Sequence, residues 1–565
     1  MNKMRKPLRL FAILVIIPIL LLAACSGGQT GGAQTTAAAA QTTAGQAATQ
    51  AATTQATTAA QQTEAQKESA PTPGNPPLPL VDGPFTISIW APNSANAQKT
   101  MSNFAESDYY IELERRTGIS VQFTHPALGE ENQSFNLLIS SGDYPDIVEM
   151  APGYTYPGGY DKSIEDGVFL KLNDLVAHYA PNYDKLLNSK AQVKKEGTTD
   201  AGNIPCFYSI SVDGPQPPWL GLVVRKDWLD DLGLDLPVTY DDWHDMLVAF
   251  RDEKGAEAPM MLHYSGFPAL DIFTGGFGVA QNYFQVDNVV KYGPLEPGYR
   301  EYLTMMNSWY AENLVDKDFA TKRDFIPSND YTTTERTGAY YDIYFNLSVN
   351  KSRSTNPNYE AVAVPTPVKK AGDILHIRQT NTDTGVVCWA VTSNCKDPVT
   401  VVRWIDYGYS PDGEILAAYG IEGKTFEYGP DGKPAFNEFI YNNPDGLSLS
   451  EAYHKYAKHG GAVAYHWDRE WAGQPKANLD CLDIWSKDND GSYLLPPITL
   501  NTEEGTEYAR IYGDIETYVS EMVVNFILGQ EPLSNYDAFL TQLKNMNVDR
   551  AIELQQAALD RFVTR

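Results

Sequence analysis

The chain has 565 residues, 43% of them hydrophobic and 20% charged, enough for a folded body and too many for one compact core. Acids outnumber bases 71 to 43, for a formal net charge of −28. A body this acidic repels phosphate backbones, which argues against a nucleic-acid partner without excluding a local basic patch. Aromatic residues make up 12%, with 34 Tyr and 10 Trp, a large supply of flat faces for stacking on apolar rings.

Residues 1–24 read as a secretory signal peptide. Four basic residues (Lys3, Arg5, Lys6 and Arg9) precede an apolar run from Leu10 to Leu22, short for a membrane span. The run ends in Leu22-Ala23-Ala24-Cys25, which resembles a bacterial lipobox. That resemblance implies cleavage before Cys25 and attachment of lipid, palmitate included, to its sulfur; the alternatives are an ordinary signal or a membrane anchor. Several acyl chains hold a protein durably on a bilayer. Removing the signal leaves 39 bases against 71 acids, or −32. Residues 26–80 are Ala, Thr, Gln and Gly, then Pro-rich, and carry only Glu64, Lys67 and Glu68 as charges. They have too few large apolar groups to offset the entropy of ordering, so 25–80 reads as a lipidated Cys on a disordered tether.

The folded body starts near Val81. Phe85 to Trp90 alternates as a half-buried strand and ends in the loop Ala91-Pro92-Asn93-Ser94. A helix is predicted over Gln98–Thr117, stopped by Gly118. A strand through Ile119, Val121 and Phe123, a helix near Phe135–Ser140 and a buried strand Ile147–Met150 follow. Strands alternating with helices make an α/β sheet, in which ligands bind beyond the carboxyl ends of strands, here Asn93, Ser94 and the loop Ala151–Tyr160. A second α/β unit opens with the strand Gly221–Val224. Its helix starts after Thr239, with Trp243, Met246, Leu247 and Phe250 on one apolar face. The end of the chain, Asn535–Val563, reads as amphipathic helix.

No HExxH, GxSxG, P-loop or GxGxxG occurs, and the eight histidines are scattered. Gly275-Gly276-Phe277-Gly278 has no phosphate-binding Lys and reads as a loop. Besides Cys25 there are Cys206, Cys388, Cys395 and Cys481, with no zinc spacing; Cys388 and Cys395 read equally as a bridge or as buried free thiols. With 71 acids, pairing two as glycosidase carboxylates is uninformative.

Ser141-Gly142-Asp143-Tyr144-Pro145-Asp146-Ile147 resembles the SGDxPDI segment of extracellular solute-binding proteins of carbohydrate ABC importers. Arg225-Lys226-Asp227-Trp228-Leu229-Asp230-Asp231-Leu232-Gly233-Leu234 resembles the RKDWLDxLGL signature of their long lipoprotein branch. Trp404 to Ser410 with Gly413 and Tyr419-Gly420, then Phe526 to Gly529, and finally Gln555, Ala558 and Asp560-Arg561 match in order over about 480 residues. The resemblance implies a two-lobed, maltose-binding-type α/β fold with hinge-crossing strands. Lobe 1 would be 81–210 and 366–420, and lobe 2 would be 211–365 and 421–565. The chain would cross near Cys206–Trp219 and return near Val362–Pro367.

It further implies a monomeric, non-enzymatic receptor on the outer face of the cytoplasmic membrane of a Gram-positive bacterium. This receptor would close on an oligosaccharide and deliver it to the permease subunits. Carried over, the ligand-binding candidates are Asn93, Ser94, Tyr154, Tyr156, Trp219, Phe267, Tyr341, Asp342, Phe345 and Trp467. Tyr154, Trp219, Phe267 and Tyr341 are the stacking platforms and Asp342 the carboxylate for sugar hydroxyls. Each has a plainer reading: Trp219 as packing beneath the crossover, Asp342 as a local backbone cap. No cofactor is implied. Asp488-Asn489-Asp490-Gly491 resembles the start of a calcium loop but lacks the closing Glu, so a structural calcium, which some relatives bind, stays an open alternative. The rival functions are a peptide or other solute receptor, a surface polysaccharide-degrading enzyme, and an adhesion or sensory lipoprotein without a permease.

Overall fold

The computed structural model describes residues 75–565, apart from 95, 96, 152, 153, 216, 265–270, 323–326, 328, 379–381 and 459. All of these lie in the compact unit Gln55–Arg565. The signal, Cys25 and most of the tether fall outside the described residues, as does Phe267.

The strands, in chain order, are β1 (Phe85–Trp90), β2 (Ile119–Thr124), β3 (Ile147–Met150), β4 (Phe207–Ser211), β5 (Leu220–Arg225), β6 (Met260–Met261), β7 (Tyr283–Val286) and β8 (Val289–Tyr292). They continue with β9 (Ala339–Ile343), β10 (Ala361–Val364), β11 (Thr384–Val391), β12 (Phe426–Tyr428), β13 (Pro434–Phe436) and β14 (Ala464–Tyr465). Lobe 1 is built on a six-stranded sheet ordered β14-β4-β11-β3-β1-β2, and lobe 2 on a four-stranded sheet ordered β10-β5-β9-β6. In the first sheet β11 alone runs against its neighbours β3 and β4. In the second, β5 is antiparallel to both β10 and β9.

The expected strands 85–90, 119–124, 147–150 and 220–225 form where apolar alternation or an apolar run dictates. The first helix is shorter than predicted. Short turns occupy 97–99 and 104–106, and α-helix runs only over Asp108–Thr117, because the Ser107 hydroxyl accepts from Tyr110 N and starts it there. Gly118 ends it at φ 76°. Thr239 caps Tyr240–Asp252 through a full capping box, and Trp243, Met246, Leu247 and Phe250 are all buried. The C-terminal helix is two, Tyr536–Asn545 and Val548–Thr564, broken where Asn547 takes φ 64°. A helix over Thr502–Leu528 lies before them, which the sequence reading does not anticipate. No helix among the described residues is long and apolar enough to cross a membrane.

The pairing redraws the expected lobe boundaries. Residues 366–378 remain with lobe 2: Val368 bridges Thr239, Leu375 bridges Asn489, and Ile377 is in the lobe 2 core. Residues 421–465 lie with lobe 1, because β14 pairs with β4 and Ala462, Val463 and Ala464 complete the lobe 1 core. The chain therefore passes between the lobes after Ser211, after Arg378 and after Tyr465. A brace spans the lobes away from these crossings. Arg561 pairs with Glu504 in lobe 2 and, at 2.5 Å, with the buried Asp200 of lobe 1, while Arg565 donates to Thr198 O at 2.8 Å.

The RKDWL segment has a structural cause. Arg225 is fully buried at the end of β5, bidentate to Asp227 (2.6 and 2.8 Å), 3.2 Å from Glu335, and sandwiched against the rings of Trp228 and Tyr359. Arg225→Met leaves the Asp227 carboxylate without its cation. A loss of about 3–5 kcal/mol is expected, read as an earlier midpoint in urea denaturation. An unchanged midpoint would mean the cluster adds nothing to stability.

Candidate functional site

In lobe 1 the carboxyl ends of β1, β3, β4 and β14 share one edge of the sheet, because these strands are parallel. In lobe 2 the carboxyl end of β9 meets the start of β5, with Leu220 opposite Ile343. The crossings join these two edges directly. Residues 212–219 run from the end of β4 to the start of β5, and 466–475 leave from the end of β14. Tyr344 N donates to Trp219 O at 3.0 Å, Ser211 N to Asp383 O at 2.8 Å, and the Tyr344 hydroxyl to Glu470 O at 3.3 Å, so the crossings are tied to both edges. Strand-end loops gather at these edges, the place where α/β sheets bind their ligands.

Several polar atoms at these edges are buried without a hydrogen-bond partner: Asn93 Oδ1, His466 Nε2, Trp467 Nε1, and Nε and Nη1 of Arg378. Folded proteins satisfy nearly all such groups; others lie inside the cores, as at Trp243, Tyr302 and Trp404, whereas these follow strand ends or stand on or next to the crossings. Asn93 follows β1; its carbonyl is taken by Gln98 Nε2 at 2.9 Å and its amide oxygen is left over. Ser94 Oγ lies 3.3 Å from His454 Nε2. Trp467 packs at 4.4 Å against Tyr465, the rings tilted by 56°, and stays partly exposed on the third crossing. Trp219 is partly exposed on the first, packed against both lobe 2 core clusters. Val212 and Val386, both exposed, add apolar surface where β4 and β11 meet the crossings.

Of the expected ligand residues, Asn93, Ser94, Tyr154, Trp219, Phe345 and Trp467 are brought to these edges. Tyr154 lies edge-on to Trp90 and its hydroxyl reaches Glu149 at 3.4 Å. Tyr156 is held within lobe 1, donating to Asp166 at 2.8 Å against Phe169. Phe345 lies two residues beyond β9, edge-on to Tyr344. The other two belong to the lobe 2 interior. Tyr341 is fully buried and its hydroxyl donates to His263 O, so its ring is core and not a platform. The Asp342 carboxylate, 2% exposed, accepts from Ile343 N, Asn346 and Asn350. This is the local capping role, and burial pushes it up to about 6.

The sequence reading misses Glu149, Trp389 and Lys458. Glu149 is on β3 and Trp389 opposite it on β11; Trp389 Nε1 donates to the Glu149 carboxylate at 3.0 Å and the Lys458 ammonium sits 4.4 Å over the Trp389 ring. Only the carboxylate inside the apolar run Ile147–Met150 hints at this. Burial pushes Glu149 up to about 7, against the Trp389 bond and the charge of Lys458, and pushes Lys458 down to about 7.

The four cysteines after Cys25 are free, buried thiols. Around 488–492 the donors are used internally: Asp490 accepts from His376 and Ser492, and Asn489 Oδ1 from Gly491 N. Among the described residues no group of three or more His, Cys, Asp or Glu is placed to hold a metal ion. A cavity of about 950 Å³ elsewhere in lobe 2, near Tyr240, Phe277 and Trp309, contains none of the edge residues, and its Lys369 and Arg300 are paired with Glu301 and Asp537.

The family described as bacterial extracellular solute-binding protein matches residues 91–415. The fructooligosaccharide ABC transporter substrate-binding protein FusA of Streptococcus pneumoniae is 24% identical over 488 residues, 80% of this chain and 86% of FusA. The structure of the alginate-binding protein AlgQ2 without calcium ion has a TM-score of 0.71 at 22% identity, covering 86% of this chain and all of that one. A FusA EF-hand mutant in complex with fructo-nystose has 0.67 at 20%, covering 85% and 99%. At these identities the structures show the fold, a two-lobed one.

The Glu149–Lys458 pair makes a pH signature. Folded Glu149 keeps its proton to about pH 7, whereas unfolded it releases it near 4.5, so its contribution is fully present below 4.5 and is lost as pH rises to 7. Lys458 runs the other way, costing stability as pH falls from 10.5 to about 7. In Glu149→Gln the first change disappears. Thermal melts at about pH 5 and about pH 7 should show the variant gaining on the parent at the higher pH. A constant gap would contradict the burial of this carboxylate.

Proposed function

The chain belongs to the bacterial extracellular solute-binding proteins, and we propose that it captures an oligosaccharide between its two lobes and hands it to the permease of an ABC importer. The observation that carries this reading is that unpaired polar atoms and exposed or half-buried aromatic and apolar side chains occur together at the strand ends and crossings of the two lobes. A sugar presents hydroxyls at its rim and C–H groups on its faces. Asn93 Oδ1 accepts from a hydroxyl, while Trp467 Nε1 and His466 Nε2, in its protonated-nitrogen form, donate to one. The rings of Trp219, Phe345 and Trp467 supply faces. The likeness to FusA, named for fructooligosaccharides, supports the ligand class.

The mechanism is an equilibrium, with no bond made or broken. A ligand touching both edges has more contacts in the closed form than in the open one, and shifts the population by that difference. The lipobox and tether support a lipid-anchored receptor outside the membrane, with Cys25 carrying the acyl chains.

Differential scanning with the full chain and a panel of neutral and acidic oligosaccharides tests the reading. A bound glycan at 100 times its Kd should add about 2.7 kcal/mol of stability and be recovered intact. Stabilisation by peptides alone, or a cleaved glycan, would overturn the reading. Trp467→Ala should weaken binding at least about tenfold, or 1.4 kcal/mol, in titration calorimetry, without lowering the melting temperature of the free protein. Cys25→Ser should release the protein from cells into the medium; retention on the membrane would contradict the lipid anchor.

A further inference from the structure

Lobe 2 contains two fully buried arginines, and they are treated differently. Arg225 is neutralised by Asp227 and Glu335 and covered by two rings. Arg378 has one hydrogen bond, from Nη2 to the carbonyl of Leu220, while Nε and Nη1 have no partner. Asp271 is near enough for its charge to be felt, but its carboxylate is engaged by Gln281 N at 2.6 Å and the Thr274 hydroxyl at 3.1 Å, and it makes no ion pair with Arg378. Burial of a guanidinium without a touching anion is strongly unfavourable, and the cost falls away only if an anion docks on it.

The position is as telling as the missing partner. Leu220 is the first residue of β5, directly after Trp219 on the first crossing, and Arg378 is the last described residue before the second. The bond to Leu220 O holds the guanidinium, itself fully buried, beside the start of β5 and so next to Trp219 on the first crossing. A neutral hydroxyl would satisfy its N–H groups but not its charge. A carboxylate satisfies both, through a charge-assisted bond to a planar fork. The −32 body does not oppose this at short range, since charges more than about 8 Å away are largely screened at physiological salt.

We propose that Arg378 is the specificity-determining residue of the site and receives the carboxylate of a uronic acid, so that the ligand is an acidic oligosaccharide. This rests on the capture function proposed above and narrows its ligand class.

The test is calorimetric titration of the full chain, at physiological salt, with trisaccharides of galacturonate, mannuronate and glucuronate, each against its methyl ester, and with neutral kestose. The esters keep the shape and remove the charge. At least one acid should bind about tenfold or more tighter than its ester. Arg378→Gln should bind that acid and its ester alike, and Arg378→Lys should restore part of the preference. If no acid outbinds its ester, or if Arg378→Gln keeps the preference, the inference is overturned. The acid and ester comparison on the unaltered chain stands even if a variant fails to fold. Binding of kestose without any acid preference overturns the role of Arg378 and leaves oligosaccharide capture intact. No binding of any of the seven sugars overturns both.

Discussion

Two hydrophobic cores that share no residue are the constraint from which the rest follows. One gathers around β1, β3, β4 and β11, the other around β5, β9 and the helices Tyr240–Asp252, Pro297–Ala311 and Thr502–Leu528. Each holds its lobe by apolar burial, and among the described residues no buried cluster joins the two. The chain passes between the lobes three times, and each passage joins the same pair of edges. Away from these passages the lobes also meet at the brace of Asp200, Arg561 and Glu504, at Lys195 donating to Phe562 O, and where Gly505 packs on Gly158. Small rotations at the passages leave both cores untouched and change only what lies between the lobes.

Polar satisfaction separates structure from site. Asp342 and Asp406 are buried carboxylates whose bonds are complete, from Asn346, Asn350 and a backbone N–H in the first case, and from Asn182 and Tyr183 N in the second. Both fix local geometry. Asn93 and Arg378 are as deeply buried, and His466 and Trp467 partly so, yet each has a buried side-chain atom without a hydrogen-bond partner. An unmade buried bond costs about 1–3 kcal/mol, more for a charged group. Stability held back in this way is returned when a ligand supplies the partners, which is how differential affinity for the closed form arises.

Local chemistry was legible in the sequence, and long-range pairing was not. The strand at Phe85–Trp90, the cap at Thr239 and the apolar face of Trp243 and Phe250 depend on neighbours a few residues away, and all are found. Asn93 and Ser94 could be placed after a strand because the strand before them could be read. Tyr341 and Asp342 could not: they stand on β9, and which face of a central strand a residue takes depends on β5 beside it. The lobe boundaries moved for the same reason, since β14 is two residues long and is recognised only by its partner β4. Lys458 and Arg378 acquire meaning from Trp389 and Leu220, which no sequence window contains.

The central claim is that ligand closes one lobe on the other. Spin labels at Leu137 on lobe 1 and Val289 on lobe 2, both exposed, report the separation of the lobes through pulsed dipolar spectroscopy on the full chain. With kestose or a uronate trisaccharide added, the account predicts a shift of the distance distribution to a single narrower population, reversed when the sugar is dialysed away. A distribution that stays the same with sugar demonstrably bound would contradict it.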